Sequence, residues 1–319
     1  MKKHAWLRGW AILTAIGAYI MVIIGAIVSK TESGRGCGGS WPFCHGQLIP
    51  DSLPIETVIE YSHRIISAGV GILILILVVS CFWLYRHDYR VKLFAFMSVF
   101  FVAFQGGLGA LTVVFEGTLA KNAFLALHFG FSLISFTSVV LLTIRLYQLK
   151  KGSSSASITR GSGLRKGLWW LATYTYLVVY TGAYVRHTES GMGCGYNFPG
   201  CGGIWTPSFT DIGGIHMMHR YAGISLWFVT VLLLIAVYRS YRSDRQIMKG
   251  AWWAMILITL QAISGIITVY TGGVLVAALI HTTIISFYFT AICYLIMVVG
   301  SAKSRKQPVN KVDSSHSEA

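Results

Sequence analysis

Long apolar stretches separated by short polar segments dominate the pattern along this chain. Each stretch approaches the roughly 20 apolar residues that a helix needs to cross the hydrocarbon core of a bilayer. Backbone groups in lipid must find hydrogen bonds within their own segment, and a helix provides them. The pattern predicts an all-α integral membrane protein with eight transmembrane helices, at about residues 10–28, 60–84, 93–115, 122–146, 167–186, 214–238, 250–271 and 274–299.

The composition agrees with lipid as the solvent. Hydrophobic residues make up 55% of the 319 residues and charged residues 12%, with a mean hydropathy of +0.63, which is too apolar for a soluble domain. The formal net charge is +15, but twenty of the 26 Lys and Arg lie in segments on one side of the predicted spans. By the positive-inside rule, that side and both termini are cytoplasmic. The charge thus indicates a multi-pass protein of the cell membrane and no nucleic-acid partner.

The chain repeats itself at an offset of about 157 residues. Residues 31–34 match residues 188–191, and histidines, cysteines and a glutamine farther along are matched at similar offsets. Because each half holds four spans, both halves have the same orientation in the membrane. We expect two parallel-repeat four-helix bundles. The domains are an N-terminal half over 1–149, a cytoplasmic linker over 150–166, a C-terminal half over 167–300 and a disordered cytoplasmic tail over 301–319.

His63, His128, His219 and His281 each lie inside a predicted span, near its outer end. Neutral imidazole is the commonest metal ligand, and ionisable side chains inside a membrane are rare without a function. Two histidines on facing helices suit axial ligation of a haem iron. We therefore pair His63 with His128 and His219 with His281, in sites toward the outer face.

Other roles for these side chains stay open on the sequence alone. A single histidine in a membrane helix is often a hydrogen-bonded packing residue. Zinc is a rival metal, although a structural zinc site needs four ligands and no Cys or carboxylate cluster lies at that depth in both halves. Arg64 and Arg220 each follow a histidine, and are candidates for binding haem propionates. Snorkelling of these arginines to the interface fits equally well.

The two halves differ at Glu60, which lies three residues before His63 and on the same helix face. The corresponding position in the second half is His216. A carboxylate beside a haem ligand is a candidate general acid or base, and a helix-start carboxylate favoured by the macrodipole is the alternative. The difference predicts a reactive first half and a second half that holds a fixed cofactor.

Two cysteine pairs, Cys37 with Cys44 and Cys194 with Cys201, lie in the predicted outer loops. The exterior is oxidising, so each pair is expected to form a disulfide that closes a short loop. A structural role is the favoured interpretation for both. For the first pair, beside the proposed reactive site, a redox-active dithiol is the alternative.

Together these motifs resemble the heme A synthases of Gram-positive bacteria. The resemblance rests on the doubled Thr-Glu-Ser-Gly-x-Gly-Cys loop, the segment Glu-Tyr-Ser-His-Arg at 60–64, His128, the His219-Arg220 pair and His281, and it covers essentially all eight spans.

This resemblance implies an enzyme, a haem-dependent oxidoreductase that oxidises the C8 methyl of haem O to a formyl group and so makes haem A for terminal oxidases. It implies that His219 and His281 ligate a resident haem b, and that His63 and His128 bracket the haem O substrate. Glu60 would be the catalytic acid or base, and the Cys37–Cys44 pair would contribute to activity. The membrane haem O synthase that supplies the substrate is a candidate partner.

The main alternative is a bis-histidine cytochrome b that transfers electrons in the membrane and keeps both haems permanently. It explains the four histidines but not the difference between Glu60 and His216. A transporter is a weaker alternative, because transporters place polar groups near the midplane and the ionisable residues here cluster toward one face.

Overall fold

A computed structural model of the chain describes residues 4–115, 119–150, 162–205, 208 and 210–300, with the side chains of 119–122 outside that description. Within these ranges the chain forms long α-helices and one short 3-10 helix, Ser190–Met192. The α-helices are α1 (Ala5–Lys30), α2 (Ile55–Leu84), α3 (Tyr89–Val114), α4 (Leu119–Lys150), α5 (Ser162–His187), α6 (Ile212–Tyr241), α7 (Arg245–Tyr270) and α8 (Leu275–Val299).

Seven of these helices, all except α5, are long and apolar enough to cross a membrane. The predicted all-helical membrane class is confirmed to that extent, while a crossing by α5 stays a prediction. The hydropathy of α5 is low because it carries six aromatic side chains with polar atoms: Trp169, Trp170, Tyr174, Tyr176, Tyr180 and Tyr184. Residues 162–166 were expected in the linker but form the first turn of α5. The rest of the linker, except Lys150, and the tail lie outside the described residues.

The helices pack as two groups of four. Each of α1 to α4 contacts the next helix along the chain and α4 returns to α1, and the same pattern joins α5 to α8. One hydrophobic cluster is built almost entirely from the first group, around side chains such as Leu7 and Ile74. A second cluster is built almost entirely from the second group, around Ile247 and Tyr288. The groups meet where α4 packs on α5 and α8 and where α1 packs on α8.

The third helix of each group begins with an aspartate that caps it. Asp88 accepts a hydrogen bond from the backbone N–H of Val91 (2.9 Å), and Asp244 accepts from those of Gln246 and Ile247 (3.0 and 3.2 Å), which satisfies N–H groups that a helix start leaves unpaired. Burial alone would raise the pKa of Asp88. The hydrogen bonds from Arg145, 2.6 Å away, and from Val91 outweigh that effect and hold the pKa below its ordinary value.

Candidate functional site

The four predicted histidine ligands lie on alternate helices, His63 on α2, His128 on α4, His219 on α6 and His281 on α8. Each lies within about three turns of the start of its helix, at 3.6 residues per turn. No described group of three or more His, Cys, Asp or Glu side chains is close enough to hold a metal ion.

In the second half, hydroxyl groups fix the orientation of both imidazoles. Thr181 gives its one hydroxyl proton to the carbonyl of Val178 (2.7 Å), so its oxygen accepts from Nδ1 of His219 at 2.8 Å. Ser264 likewise donates to the carbonyl of Gln261 (2.9 Å) and accepts from Nδ1 of His281, also at 2.9 Å. With the proton held on Nδ1, the Nε2 lone pair of each ring is available for a metal.

Gln261 provides a further sign that Nε2 of His281 is an acceptor. Its amide nitrogen lies 3.0 Å from that atom and donates to it, while its buried Oε1 has no partner. A metal that binds His281 would take the place of this hydrogen bond.

In the first half, only one of the two imidazoles is held in this way. Nδ1 of His128 donates to the backbone carbonyl of Gln105 at 2.9 Å, because a carbonyl can only accept. Nδ1 of His63 is buried and has no hydrogen-bond partner. The hydrogen bond therefore fixes the tautomer of His128, whereas no hydrogen bond at Nδ1 fixes the tautomer of His63.

A glycine on the preceding helix faces each of the four imidazoles. Sequence reasoning did not assign these glycines to the site, although the repeat aligns them in pairs at offsets of 157 and 156. A Cβ at each position would approach Cε1 of the imidazole, to 3.0 Å from Gly182 to His219, 3.2 Å from Gly265 to His281, 3.4 Å from Gly25 to His63 and 3.5 Å from Gly109 to His128. The second half is thus the more tightly fitted of the two.

Glu60 is 5% exposed and lies against the first loop, between α1 and α2. Its Oε1 accepts hydrogen bonds from Nη2 and Nε of Arg64, at 2.5 and 3.2 Å, and its Oε2 accepts from the backbone N–H of Cys37 at 2.7 Å. The carboxylate therefore joins the arginine that follows His63 to the first cysteine pair.

Arg64 also binds this loop, which affects its predicted role in binding a haem propionate. It donates from Nε and Nη2 to Glu60 and from Nη1 to the carbonyls of Ser40 (2.7 Å) and Phe43 (2.6 Å). Four hydrogen bonds to the protein leave Arg64 little capacity for a propionate, since a guanidinium has five N–H donors.

Arg220, the counterpart of Arg64, keeps the loop contacts but lacks the carboxylate. Its Nη1 donates to the carbonyls of Asn197 (2.8 Å), Gly200 (2.9 Å) and Pro199 (3.1 Å). Arg220 is only 9% exposed, and its buried Nε and Nη2 have no partner. His216 stands where Glu60 would pair with this edge. Burying a guanidinium edge without a partner costs free energy. The edge is complementary to a carboxylate in shape and charge.

Both cysteine pairs are joined in the structure. The sulfur atoms are 2.02 Å apart in Cys37–Cys44 and 2.09 Å apart in Cys194–Cys201. Each second cysteine also forms a short antiparallel bridge, Cys44 with Gln47 and Cys201 with Ile204. The two loops that cover the histidine-bearing helix ends are therefore closed in the same way.

Comparisons with known proteins agree with this arrangement. The model of the COX15-CtaA family, cytochrome oxidase assembly protein, matches residues 8–54 and 51–293. The protein named heme A synthase from Halalkalibacterium halodurans is 40% identical over 301 residues, which cover 94% of this chain and 99% of the relative. The heme A synthase of Shouchella clausii is 37% identical over 304 residues, 95% of this chain and 100% of the relative.

A third relative, the heme A synthase of Alkalihalophilus pseudofirmus, is 39% identical over 297 residues, 93% of this chain and 98% of the relative. The matches run through both groups of four helices and both cysteine loops. The chain therefore belongs to the COX15-CtaA family of cytochrome oxidase assembly proteins.

Proposed function

We propose that this protein catalyses the reaction of a heme A synthase, the oxidation of the C8 methyl of haem O to a formyl group that yields haem A. The observation that carries the proposal is the near full-length similarity to proteins of that name. The site adds support, because imidazoles on α4, α6 and α8 each present an Nε2 lone pair, as haem ligation requires.

The second half is the proposed site of a resident haem b, held by His219 and His281. Two observations support the fit. Both imidazoles are oriented by hydroxyl groups, which is how proteins usually support metal-binding histidines. Arg220 offers an unpaired guanidinium edge to one propionate. When bound, this haem would supply a one-electron carrier for electrons that leave the substrate.

The first half is the proposed site of the haem O substrate, bracketed by His63 and His128. Glu60 is the proposed acid or base for the protons released when the methyl group gains oxygen, from water or from dioxygen, to give an alcohol and then a geminal diol. The geminal diol loses water to give the aldehyde. The contacts of Glu60 support this role, because hydrogen bonds from Arg64 and from the backbone N–H of Cys37 hold the carboxylate in a fixed orientation. The structure leaves Arg64 occupied by Glu60, so we assign propionate binding to Arg220 and not to Arg64.

The proposed setting is the cell membrane, with two parallel four-helix halves, both termini in the cytoplasm and the haem sites toward the outer face. The distribution of Lys and Arg supports this orientation, and the two groups of four packed helices support the division into halves. A membrane enzyme that supplies haem O is the proposed partner.

Expression together with a source of haem O tests the function. Haems extracted from the purified full-length protein should contain haem A and haem O in variable amounts beside haem b, and membranes that lack the protein should contain no haem A. A protein that yields only haem b at fixed stoichiometry would instead be the electron-transfer cytochrome b.

A further inference from the structure

The four proposed ligands are not held equally. Nδ1 of His128, His219 and His281 each has a hydrogen-bond acceptor within 2.9 Å, whereas the buried Nδ1 of His63 has none. Such an acceptor fixes the tautomer and the direction of an imidazole and strengthens it as a ligand, and its loss typically lowers metal affinity by about 10- to 100-fold.

A single residue difference between the halves accounts for this inequality. Thr181 on α5 accepts the hydrogen bond of His219, and the equivalent position on α1, 157 residues earlier, is Ile24. Isoleucine has no side-chain acceptor, so the residue at this position of α1 cannot anchor His63. Ser264, which anchors His281, is replaced in the first half by Leu108, at an offset of 156. His128 is nonetheless anchored, because its ring bonds directly to the backbone carbonyl of Gln105.

The space beside the rings separates the two halves but not the two ligands of the first half. A Cβ at Gly182 would lie 3.0 Å from His219, whereas a Cβ at Gly25 or Gly109 would lie 3.4 Å from His63 or 3.5 Å from His128. Within the first half, the missing hydrogen bond is therefore what distinguishes His63 from His128.

An enzyme that converts one haem into another must release its product iron in every cycle and keep its resident iron throughout. We propose that His63 is the exchangeable axial ligand of the first-half site and His128 the fixed one, and that Ile24 and Thr181 determine which half exchanges a ligand. This proposal rests on the proposed function. It assigns the entry of substrate, the exit of product and the opening of a coordination position to the side of His63.

Carbon monoxide binding to the reduced, haem-loaded full-length protein tests the proposal. A six-coordinate haem binds carbon monoxide only after one imidazole has left, so the observed rate reports ligand release. The formyl group of haem A shifts its absorption away from that of haem b, which separates the two halves in one spectrum. In the wild-type protein, we expect carbon monoxide to bind the haem A component and to leave the haem b component unchanged.

Exchange of the two key residues gives the decisive comparison. Ile24→Thr supplies a hydroxyl that can donate to the carbonyl of Met21 and accept from His63, and it should slow binding to the haem A component by about tenfold or more. Ile24→Val, the control without a hydroxyl, should behave like the wild type. Thr181→Val should make the haem b component reactive toward carbon monoxide.

Two further variants keep the test independent of whether Ile24→Thr folds. His63→Ala should retain a first-half haem, haem O or haem A by extraction and chromatography, whereas His128→Ala should lose both and retain haem b. Equal rates in Ile24→Thr and the wild type would overturn the proposal, as would loss of both haem O and haem A from His63→Ala with their retention in His128→Ala. A wild-type protein that is colourless or contains only haem b would instead refute the proposed function.

Discussion

Arg64 binds Glu60 through the Nε and Nη2 edge of its guanidinium, with 2.5 Å between Nη2 and Oε1. The same edge of Arg220 is buried and empty. The first half has Glu60 where the second half has His216. Because of this one difference, the arginine of the first half forms an internal ion pair and the arginine of the second half is a candidate site for a carboxylate. The asymmetry noticed in the sequence thus has a consequence for ligand binding as well as for acid–base chemistry.

Substitution of Arg220 should weaken the second-half site. Arg220→Gln removes the charged edge that would hold a propionate, and we expect haem b affinity to fall by about tenfold or more, since charge-assisted hydrogen bonds contribute about 1.5–3 kcal/mol. Haem b per protein, measured after purification, checks this result.

His216→Glu provides the matched test, because it should place a carboxylate on Arg220 and compete with the propionate. It should lower haem b content while leaving the protein folded. Haem b content unchanged in both variants would remove Arg220 from the site.

Substitution of Glu60 should stop oxidation without releasing haem b. Glu60→Gln keeps the size of the side chain but loses its basicity, and we expect haem A formation to fall by about 100-fold or more. Chromatography of the extracted haems measures this. Glu56→Gln is the control, because Glu56 is an exposed carboxylate on the same helix. Full activity in Glu60→Gln would show that the carboxylate serves only to hold the first loop.

The two disulfides should have separable effects. Replacement of both Cys37 and Cys44 by serine removes a crosslink between residues seven apart, which is worth about 2 kcal/mol in the loop-entropy model. It also loosens the backbone N–H that binds Glu60. We therefore expect loss of haem A formation with haem b retained.

The equivalent change at Cys194 and Cys201 loosens the loop whose carbonyls hold Arg220, so it should lower haem b content instead. Identical effects of the two double variants on haem A and haem b would contradict the proposed division between the halves.

Alanine at the glycines that face the imidazoles should impair haem binding, and the effect should be larger where the added Cβ lies closer to the ring. Gly182→Ala brings a methyl group to 3.0 Å from His219 and should reduce haem b content, while Gly25→Ala, at 3.4 Å from His63, should be milder. Gly107→Ala is the control, because a Cβ there meets nothing within 4 Å. Haem b per protein reports the outcome for Gly182→Ala, and the content of haem O and haem A reports it for Gly25→Ala and Gly107→Ala. Equal loss of all haems in the three variants would indicate a general packing defect.

Much of the fold follows from the sequence because lipid imposes simple rules. Apolar length predicted where the helices lie, and seven of them are apolar enough to cross a membrane. The parallel repeat of the two halves stays a prediction. Helix ends were missed where polar residues continue a helix beyond the apolar window, as at Ser162. The position of α5 in the membrane stays a prediction because Trp and Tyr lower its hydropathy, although such residues also suit membrane interfaces.

The site was less predictable in its details than in its main residues. Histidines inside apolar spans are conspicuous, whereas the group that orients each imidazole depends on which atom of a neighbouring helix lies nearby. A threonine such as Thr181 is ordinary in sequence, and only the contact with His219 gives it a role. Arg64 and Arg220 occupy equivalent positions in the repeat, so the sequence does not distinguish them. The structure does, because Arg64 pairs with Glu60 while Nε and Nη2 of Arg220 have no partner.

We propose above all that each half of the chain binds its own haem through its own pair of histidines. The most direct test is the haem content of His219→Ala and His128→Ala, purified from cells that make haem O and analysed by extraction and chromatography. We expect His219→Ala to lack haem b, and His128→Ala to retain haem b but to contain neither haem O nor haem A. Loss of haem b from both variants, or a full complement of haems in either, would contradict this proposal.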